Sequence, residues 1–176
     1  MTRRRAMWVA ALAGVALVGG VALVTTIHTS GDDLPTLSEA RRLLVPAADA
    51  RPAVEVGDDS PTRGFRTVVF FLADGQYPAF VHALRDWGPL ADSDADNPAD
   101  IVAVLPHEPK GSSVITPVGG DPTGRIAGAY GIPLPPDGPP VGYAIVDSRL
   151  MVRYATPDPH ILDHLDRIAA ILQAVP

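Results

Sequence analysis

Few residues of this 176-residue chain have types and spacings suited to chemistry, and none of them is a cysteine. Asp74 and His82 flank a loop that follows an apolar run, and a carboxylate beside a histidine is the pairing that orients a general base. No nearby side chain offers a nucleophile, so we expect no catalytic residue there. The absence of cysteine excludes disulfides, thiolate chemistry and cysteine metal sites.

Two further clusters have spacings that metal ions use. The alternating carboxylates of Asp92–Asp96 (DSDAD) resemble a calcium loop, but Asn97 stands where the sharp turn needs glycine. His160 and His164 lie one helical turn apart with Asp163 beside them, yet no third convergent ligand is evident. A solvated acidic loop and the surface of a terminal helix are the simpler interpretations, so we expect no metal and no cofactor.

The charge distribution excludes one class of partner. Residues beyond position 31 contain 11 basic and 20 acidic side chains, a formal net charge of 11 − 20 = −9. Binding to phosphate backbones needs clustered lysine and arginine. We therefore expect no nucleic-acid partner.

The amino-terminal residues predict a membrane anchor. Arginines at residues 1–5 precede an uncharged run over residues 6–27, about 33 Å as a helix and enough to cross a hydrocarbon core of roughly 30 Å. The sequence thus predicts a cytoplasmic tail (1–5), a single-pass signal-anchor helix in the cell membrane (6–27) and an extracytoplasmic remainder. A cleaved signal peptide is the alternative, but its apolar region is usually about 7–15 residues and no small-x-small cleavage site follows. Small residues four apart could pair two such helices, which leaves a homodimer open on weak support.

Residues 28–52 predict a tether that contains one short helix. Thr36 and Glu39 have the spacing of a capping box, and the helix should stop before Pro46. Its apolar face, which could lie against the bilayer or against the domain, comprises Leu37, Ala40, Leu43 and Leu44.

Residues 53–176 predict one domain with the element order β-β-α-β-α-β-β-α. The continuous apolar run Thr67–Leu72 is typical of a central strand covered on both faces. Helices should follow Gln76 and begin at Asp121 and Asp158, each of these aspartates being followed by proline. The other predicted strands are Ala53–Val56, Ile101–Leu105, Val141–Val146 and Leu150–Ala155. A central sheet between helices, with parallel strands at its core and an antiparallel edge hairpin, satisfies this order.

Four stretches in this order carry a family resemblance. Gly64–Ala73 (GFRTVVFFLA) is similar to a "GK-vvlvnFWA" strand, and Gln76–Ala79 (QYPA) falls where a Cys-x-Pro-Cys motif would stand. Gly124–Ile132 and Tyr143–Asp147 are similar to a helix before a cis-proline loop and to a "tflID" strand. The chain resembles the thioredoxin-like superfamily, particularly its peroxiredoxin and membrane-tethered TlpA/ResA-type branches. The resemblance implies an α/β three-layer sandwich, a central mixed sheet flanked by helices.

The departures from the family pattern concern its chemistry. Gln76 and Ala79 occupy the two thioredoxin cysteine positions, and Phe80 occupies the peroxidatic position under a peroxiredoxin alignment. Phe70 stands where thioredoxins often keep a buried carboxylate, and the cis-proline position falls on Pro140 or on its neighbour Val141. Thiol–disulfide exchange and peroxide reduction both need a thiolate. The resemblance therefore implies the scaffold and argues against its redox activity.

These considerations predict a binding site in place of a catalytic one. The free N–H groups at the start of the helix could hold an anion or a peptide carboxylate. We predict a redox-inactive binding or assembly module, a pseudoenzyme held in the membrane, whose partner is another envelope protein or a peptide. Alternatives are an enzyme of non-thiol chemistry that uses the same cleft, and a membrane scaffold that works through its anchor. The predicted binding residues are Gln76, Tyr77, Pro78, Ala79, Phe80, Pro140 and Val141.

Overall fold

The computed structural model describes residues 34–56, 60–85, 87, 99–107 and 118–176. The predicted tail and membrane anchor (1–27) and the acidic stretch 92–96 lie outside the described residues. Within the described part, no helix is both long and apolar enough to cross a bilayer. Contacts divide the chain into two units, Met1–Asp32 and Asp33–Pro176, and the described residues all belong to the second.

The unit is built on a six-stranded mixed sheet with the strand order β1-β6-β5-β2-β3-β4. The strands β2, β3 and β4 are parallel, whereas β2–β5, β5–β6 and β6–β1 are antiparallel pairs. The strands are β1 (Arg51–Pro52), β2 (Arg66–Phe71), β3 (Ala99–Leu105), β4 (Val118–Gly120), β5 (Gly142–Val146) and β6 (Met151–Pro157). The helices are α1 (Leu37–Leu43), α2 (Tyr77–Arg85), α3 (Arg125–Tyr130) and α4 (Leu165–Ala174), and 3₁₀ turns at Asp74–Gln76 and Ile161–His164 precede α2 and α4.

Alternate residues of β2 face two different layers of helices. Val68 and Phe70 belong to a core cluster that also contains residues of α1, α2 and α4. Val69 and Phe71 belong to a second cluster, which includes Ala127 of α3. Because successive strand residues point to opposite faces of a sheet, one buried strand serves both clusters. The three-layer arrangement predicted from the sequence is confirmed.

The hairpin of β5 and β6 does not form the edge of the sheet, contrary to the prediction. Strand β5 pairs directly with β2 in the interior, and β1 pairs with the far side of β6. The five residues of β5 are all buried. A strand that is buried on both faces is a central strand, and such strands have continuous apolar sequences. The apolar run Val141–Val146 is consistent with this position.

Two strand predictions differ from the structure. Residues Ala53–Val56 form no strand, because other groups satisfy their backbone: the Tyr130 hydroxyl donates to the Val54 carbonyl (2.8 Å), and the Val56 N–H donates to Ser60 Oγ (2.7 Å). The short strand β4 lies in a segment where the sequence predicted no strand. Strand β4 can pack closely against Val56 because Gly119 has no Cβ. A Cβ at position 119 would overlap the Val56 side chain.

The predicted helix starts are correct in kind and shifted in position. At α1 the capping box is present, and hydrogen bonds from Thr36 hold the pKa of Glu39 below its usual value. The Asp121 carboxylate accepts from the N–H of Ala127 (2.9 Å), but α3 begins only at Arg125. Asp158 accepts from the N–H of His160 (2.9 Å), and a 3₁₀ turn then delays α4 to Leu165.

Part of the predicted tether packs on the domain. Helix α1 lies against α4 with Ala40 fully buried and Leu43 and Leu44 packed on the core, whereas Leu37 of the predicted apolar face remains 48% exposed. Beyond the helix, the Val45 N–H donates to the Arg153 carbonyl (2.7 Å), and Arg153 Nε donates to the Val45 carbonyl (2.8 Å). Residues 34–45 are thus held to the sheet by both packing and reciprocal hydrogen bonds.

Candidate functional site

The loop after β2 is braced by Gln76. The Ala73 N–H donates to Gln76 Oε1 (3.1 Å), and Gln76 Nε2 donates to the Pro159 carbonyl (3.2 Å). One side chain therefore closes the turn that leads into α2 and ties it to the segment before α4. The residue at the first cysteine position of the family pattern has a structural function here.

The five predicted binding residues of the loop divide between core and surface. Tyr77 and Phe80 are buried in the core cluster shared by α1, α2 and α4. Pro78 and Ala79 are exposed, and Gln76 is half-buried. Tyr77 and Phe80, which the sequence placed among the binding residues, are therefore not exposed at this surface. The buried Tyr77 hydroxyl has no hydrogen-bond partner among the described residues, which is unusual for a buried polar group.

Aromatic rings fill the space beneath the loop. The ring of Phe70 lies 4.8 Å from that of Phe80, 6.2 Å from that of Trp87 and 6.5 Å from that of Tyr143, measured between centroids. Burial, together with the neighbouring Tyr154, raises the pKa of the Tyr143 hydroxyl, which stays protonated. Phe70, at the position where thioredoxins often keep a proton-accepting carboxylate, thus makes only ring contacts with its aromatic neighbours.

Pro140 and Val141 lie on the chain that enters β5. Pro140 is buried beside Gly124, at the start of α3, and Val141 packs against the same core cluster as Tyr77 and Phe80. The Val141 carbonyl accepts from the N–H of Asp158 (3.0 Å), so the chain itself occupies this acceptor. The described residues contain no cis peptide bond, and neither position is a cis-proline.

The histidine that pairs with Asp74 is His107 and not His82. Asp74 Oδ2 lies 2.9 Å from His107 Nδ1, whereas His82 is exposed on α2. His107 follows β3, and the carboxyl ends of the parallel strands β2 and β3 lie at the same edge of the sheet. The signal that could have identified His107 is its position directly after the strand that neighbours β2. The pairing of Asp74 with His82 that the sequence left open does not form, and Asp74 contacts His107.

The two histidines before α4 have separate carboxylate partners. His164 Nδ1 lies 2.8 Å from Asp158 Oδ2, and His160 Nδ1 lies 3.9 Å from Asp163 Oδ2. In the described part of the chain, no three residues of the types His, Cys, Asp or Glu come together as metal ligands would. His160 and His164 thus contact two different carboxylates and do not converge on one point.

Comparison with known proteins identifies the fold. No protein-family model matches the sequence, and no curated protein matches it. Among solved structures, a cysteine-to-serine variant of Xanthomonas campestris peroxiredoxin Q superposes with a TM-score of 0.52 at 18% identity over 74% of this chain and 94% of that one. The fold is thioredoxin-like. A second structure of the same peroxiredoxin, called F4, has the same TM-score, identity and coverage. Mycobacterium tuberculosis AhpC has 20% identity over 63% of this chain and 71% of that one, with a TM-score of 0.47.

The comparison confirms the resemblance stated from the sequence, at the level of fold. The chain shares the thioredoxin-like architecture with peroxiredoxin Q and contains no cysteine. At 18% identity, the superposition shows a shared architecture and does not indicate a shared activity. What this thioredoxin-like chain does must be argued from its own residues.

Replacing Gly142 by alanine should lower the free energy of unfolding by about 1–3 kcal/mol. A Cβ at this position would overlap the Thr156 carbonyl oxygen and approach Pro157 Cα to 2.9 Å, so β5 and β6 would have to separate beside Val141. Urea denaturation measures the change. Gly128→Ala is the control, since a Cβ there meets nothing within 4 Å and alanine in a helix is worth about 0.5–1 kcal/mol over glycine. Equal stability of the two variants would contradict the expectation.

Proposed function

We propose that this chain is a membrane-anchored, extracytoplasmic thioredoxin-like domain that lacks redox activity and acts as a binding or assembly module. The observation that carries the proposal is the combination of a thioredoxin-like fold with a sequence that contains no cysteine. Thiolate sulfur is the attacking atom in both disulfide exchange and peroxide reduction. A chain without it retains the scaffold and not the reaction.

The residues around the former active-site position support a structural origin of this loss. The side-chain oxygen and nitrogen of Gln76 both form hydrogen bonds with backbone groups. Phe70 packs against three aromatic rings. Introducing the family's cysteine at position 76 would remove the brace, and introducing its carboxylate at position 70 would place a polar group among aromatic rings. The substitutions therefore form a consistent set in which the loop is stabilised without its reactive groups.

The surface that remains available for binding is the start of α2. Pro78 and Ala79 are exposed there, and they follow directly on the braced turn Asp74–Gln76. A fixed backbone reduces the conformational entropy that binding would otherwise cost. We therefore assign the contact with an envelope protein or peptide to this rigid turn and the first exposed residues of α2.

The absence of redox activity is tested on the purified full chain. Neither thiol-dependent reduction of insulin nor turnover of hydrogen peroxide should exceed the rate without protein, because no group of the chain can form the sulfur intermediate. A thiol-dependent rate that scales with protein concentration would overturn the proposal.

The binding role is tested by photocrosslinking in living cells. A photoreactive amino acid replaces exposed Ala79, while the matched control replaces Asp137 in the exposed loop before β5. We expect one envelope protein to be captured from position 79 and not from position 137, and the product to disappear when Pro78→Asp is added. The same products from both positions, or none, would count against the assigned surface.

A further inference from the structure

Two large apolar side chains at the amino-terminal end of α1 are exposed. Leu34 is 56% exposed and Leu37 is 48% exposed, and they flank the capping residue Thr36. Arg41 and Arg42 are exposed in the last turn of the same helix. We call Leu34, Leu37, Arg41 and Arg42 the α1 surface.

The α1 surface is held rigidly by the opposite side of the helix. Ala40 is fully buried, and Leu43 and Leu44 pack against the core. The capping box fixes the amino-terminal end of α1, and the reciprocal Val45–Arg153 hydrogen bonds fix the chain after it. The exposed leucines therefore cannot be covered by a small rotation of the helix.

The charge of this segment differs from that of the rest of the domain. Residues 34–45 contain two arginines and one glutamate, a net charge of 2 − 1 = +1, whereas residues 46–176 carry 9 − 17 = −8. Glu39 is hydrogen-bonded to Thr36 and is attracted electrostatically to Arg42, but neither arginine forms a salt bridge within the described residues. The two guanidinium groups are thus available to phosphate oxygens, which they bind through paired N–H donors.

The chain before the α1 surface limits its distance from a bilayer. Seven peptide units (34 − 27) join the end of the predicted anchor to Leu34, at most about 25 Å when fully extended. The head-group region of a bilayer alone takes about 5–8 Å of that distance. The α1 surface consequently begins within reach of the head groups in any chain whose residues 6–27 span the membrane.

We infer that the α1 surface binds a phospholipid bilayer. Leu34 and Leu37 enter the boundary between head groups and acyl chains, and Arg41 and Arg42 bind lipid phosphates, as in interfacial helices. With Asp32 and Asp33 included, residues 32–45 carry a net charge of 2 − 3 = −1, so the proposed contact is between the two arginines and individual lipid phosphates. The inference rests on the proposed membrane anchoring, and it adds that one defined face of the domain lies on the membrane.

The absence of cysteine makes the test simple, because one introduced cysteine is a unique labelling site. The full chain carrying Leu37→Cys is labelled with an environment-sensitive fluorophore and reconstituted into vesicles of phosphatidylethanolamine and phosphatidylglycerol. The control is Leu134→Cys, at a leucine that is 59% exposed in the loop before β5. We expect a blue shift and quenching by nitroxide-labelled lipids at position 37, and neither at position 134. Arg41→Glu with Arg42→Glu should reduce the quenching, whereas Arg149→Glu should not.

The outcomes separate the inference from the proposed anchoring. A chain that does not float with the vesicles overturns both. A chain that floats without quenching at position 37 overturns the bilayer contact alone. A blue shift at position 37 without lipid quenching would show that a second copy of the chain covers the leucines, and it would also overturn the inference. Quenching that is unchanged by the double charge reversal would overturn the assignment of the two arginines.

Discussion

Replacing Arg153 by alanine should lower the free energy of unfolding by about 3–5 kcal/mol. Arg153 and Asp147 form a buried ion pair, with Nη1 donating to Asp147 Oδ2 at 3.1 Å. The other carboxylate oxygen accepts from the backbone N–H groups of Arg149 (2.9 Å) and Met151 (3.0 Å). Removing the guanidinium would leave the aspartate buried without its counter-ion, and it would leave the Val45 carbonyl without its donor.

Guanidinium chloride denaturation of Arg153→Ala and of Arg149→Ala measures this effect against a matched control. Arg149 lies on the same hairpin and is exposed, so its removal should change stability by less than about 0.5 kcal/mol. Trypsin should also cleave Arg153→Ala faster after Arg41 or Arg42, because the chain at Val45 loses one of its two hydrogen bonds to β6. A loss below about 1 kcal/mol would show that the pair is solvated and contributes as a surface salt bridge does.

Replacing Phe70 by alanine should lower the free energy of unfolding by about 3–5 kcal/mol. The side chain is fully buried at the centre of the sheet and contacts the rings of Phe80, Trp87 and Tyr143. The cost combines the lost transfer free energy with the cavity that the surrounding rings cannot fill. Phe65→Ala is the control, since Phe65 precedes the same strand and is 40% exposed; its removal should cost less than about 0.5 kcal/mol.

Phe70→Asp tests whether the interior beneath the loop tolerates a carboxyl group. It restores the type of residue that thioredoxins often keep at this position, yet we expect at least the loss of stability of Phe70→Ala. The new carboxyl group would lie among aromatic rings, and a polar group buried without a hydrogen-bond partner is costly. Circular dichroism and urea titration measure the change. If Phe70→Asp were as stable as the unmodified chain, the space beneath the loop would have to accept a polar group. That result would contradict the view that aromatic rings fill this space.

The buried ion pair also bears on how the domain is connected to its amino-terminal segment. Arg153 contacts the hairpin carboxylate and the Val45 carbonyl at the same time. The chain between the predicted anchor and the sheet is therefore not free from residue 34 onwards.

The elements with a strong local signal were predicted correctly from the sequence. The apolar run of β2, the periodic face of α2 with Phe80 and Leu84, and the capping box of α1 all correspond to elements in the structure. Each depends on the spacing of a few neighbouring residues, which the sequence displays directly. The resemblance to thioredoxin-like proteins depends on the order of such elements, and it is confirmed at the level of fold.

The candidate site could be predicted only in outline. The sequence located the turn Asp74–Gln76 and the helix that follows it, but it did not show that Tyr77 faces the core while Ala79 faces solvent. The direction of a helical side chain relative to the sheet depends on the rotation of the helix, which long-range packing sets. The same applies to the partner of Asp74, since His107 lies 33 residues away along the chain.

The sequence by itself determined the absence of thiol chemistry, because no arrangement of 176 residues without cysteine can supply a thiolate. It also determined the main strands and helices, whose signals are local. Only the tertiary structure decided that Gln76 braces the loop, that rings surround Phe70 and that Val45 is held by Arg153. The physical reason is that each of these contacts joins segments far apart in sequence, and their distances follow from the packing of the sheet and helices as a whole.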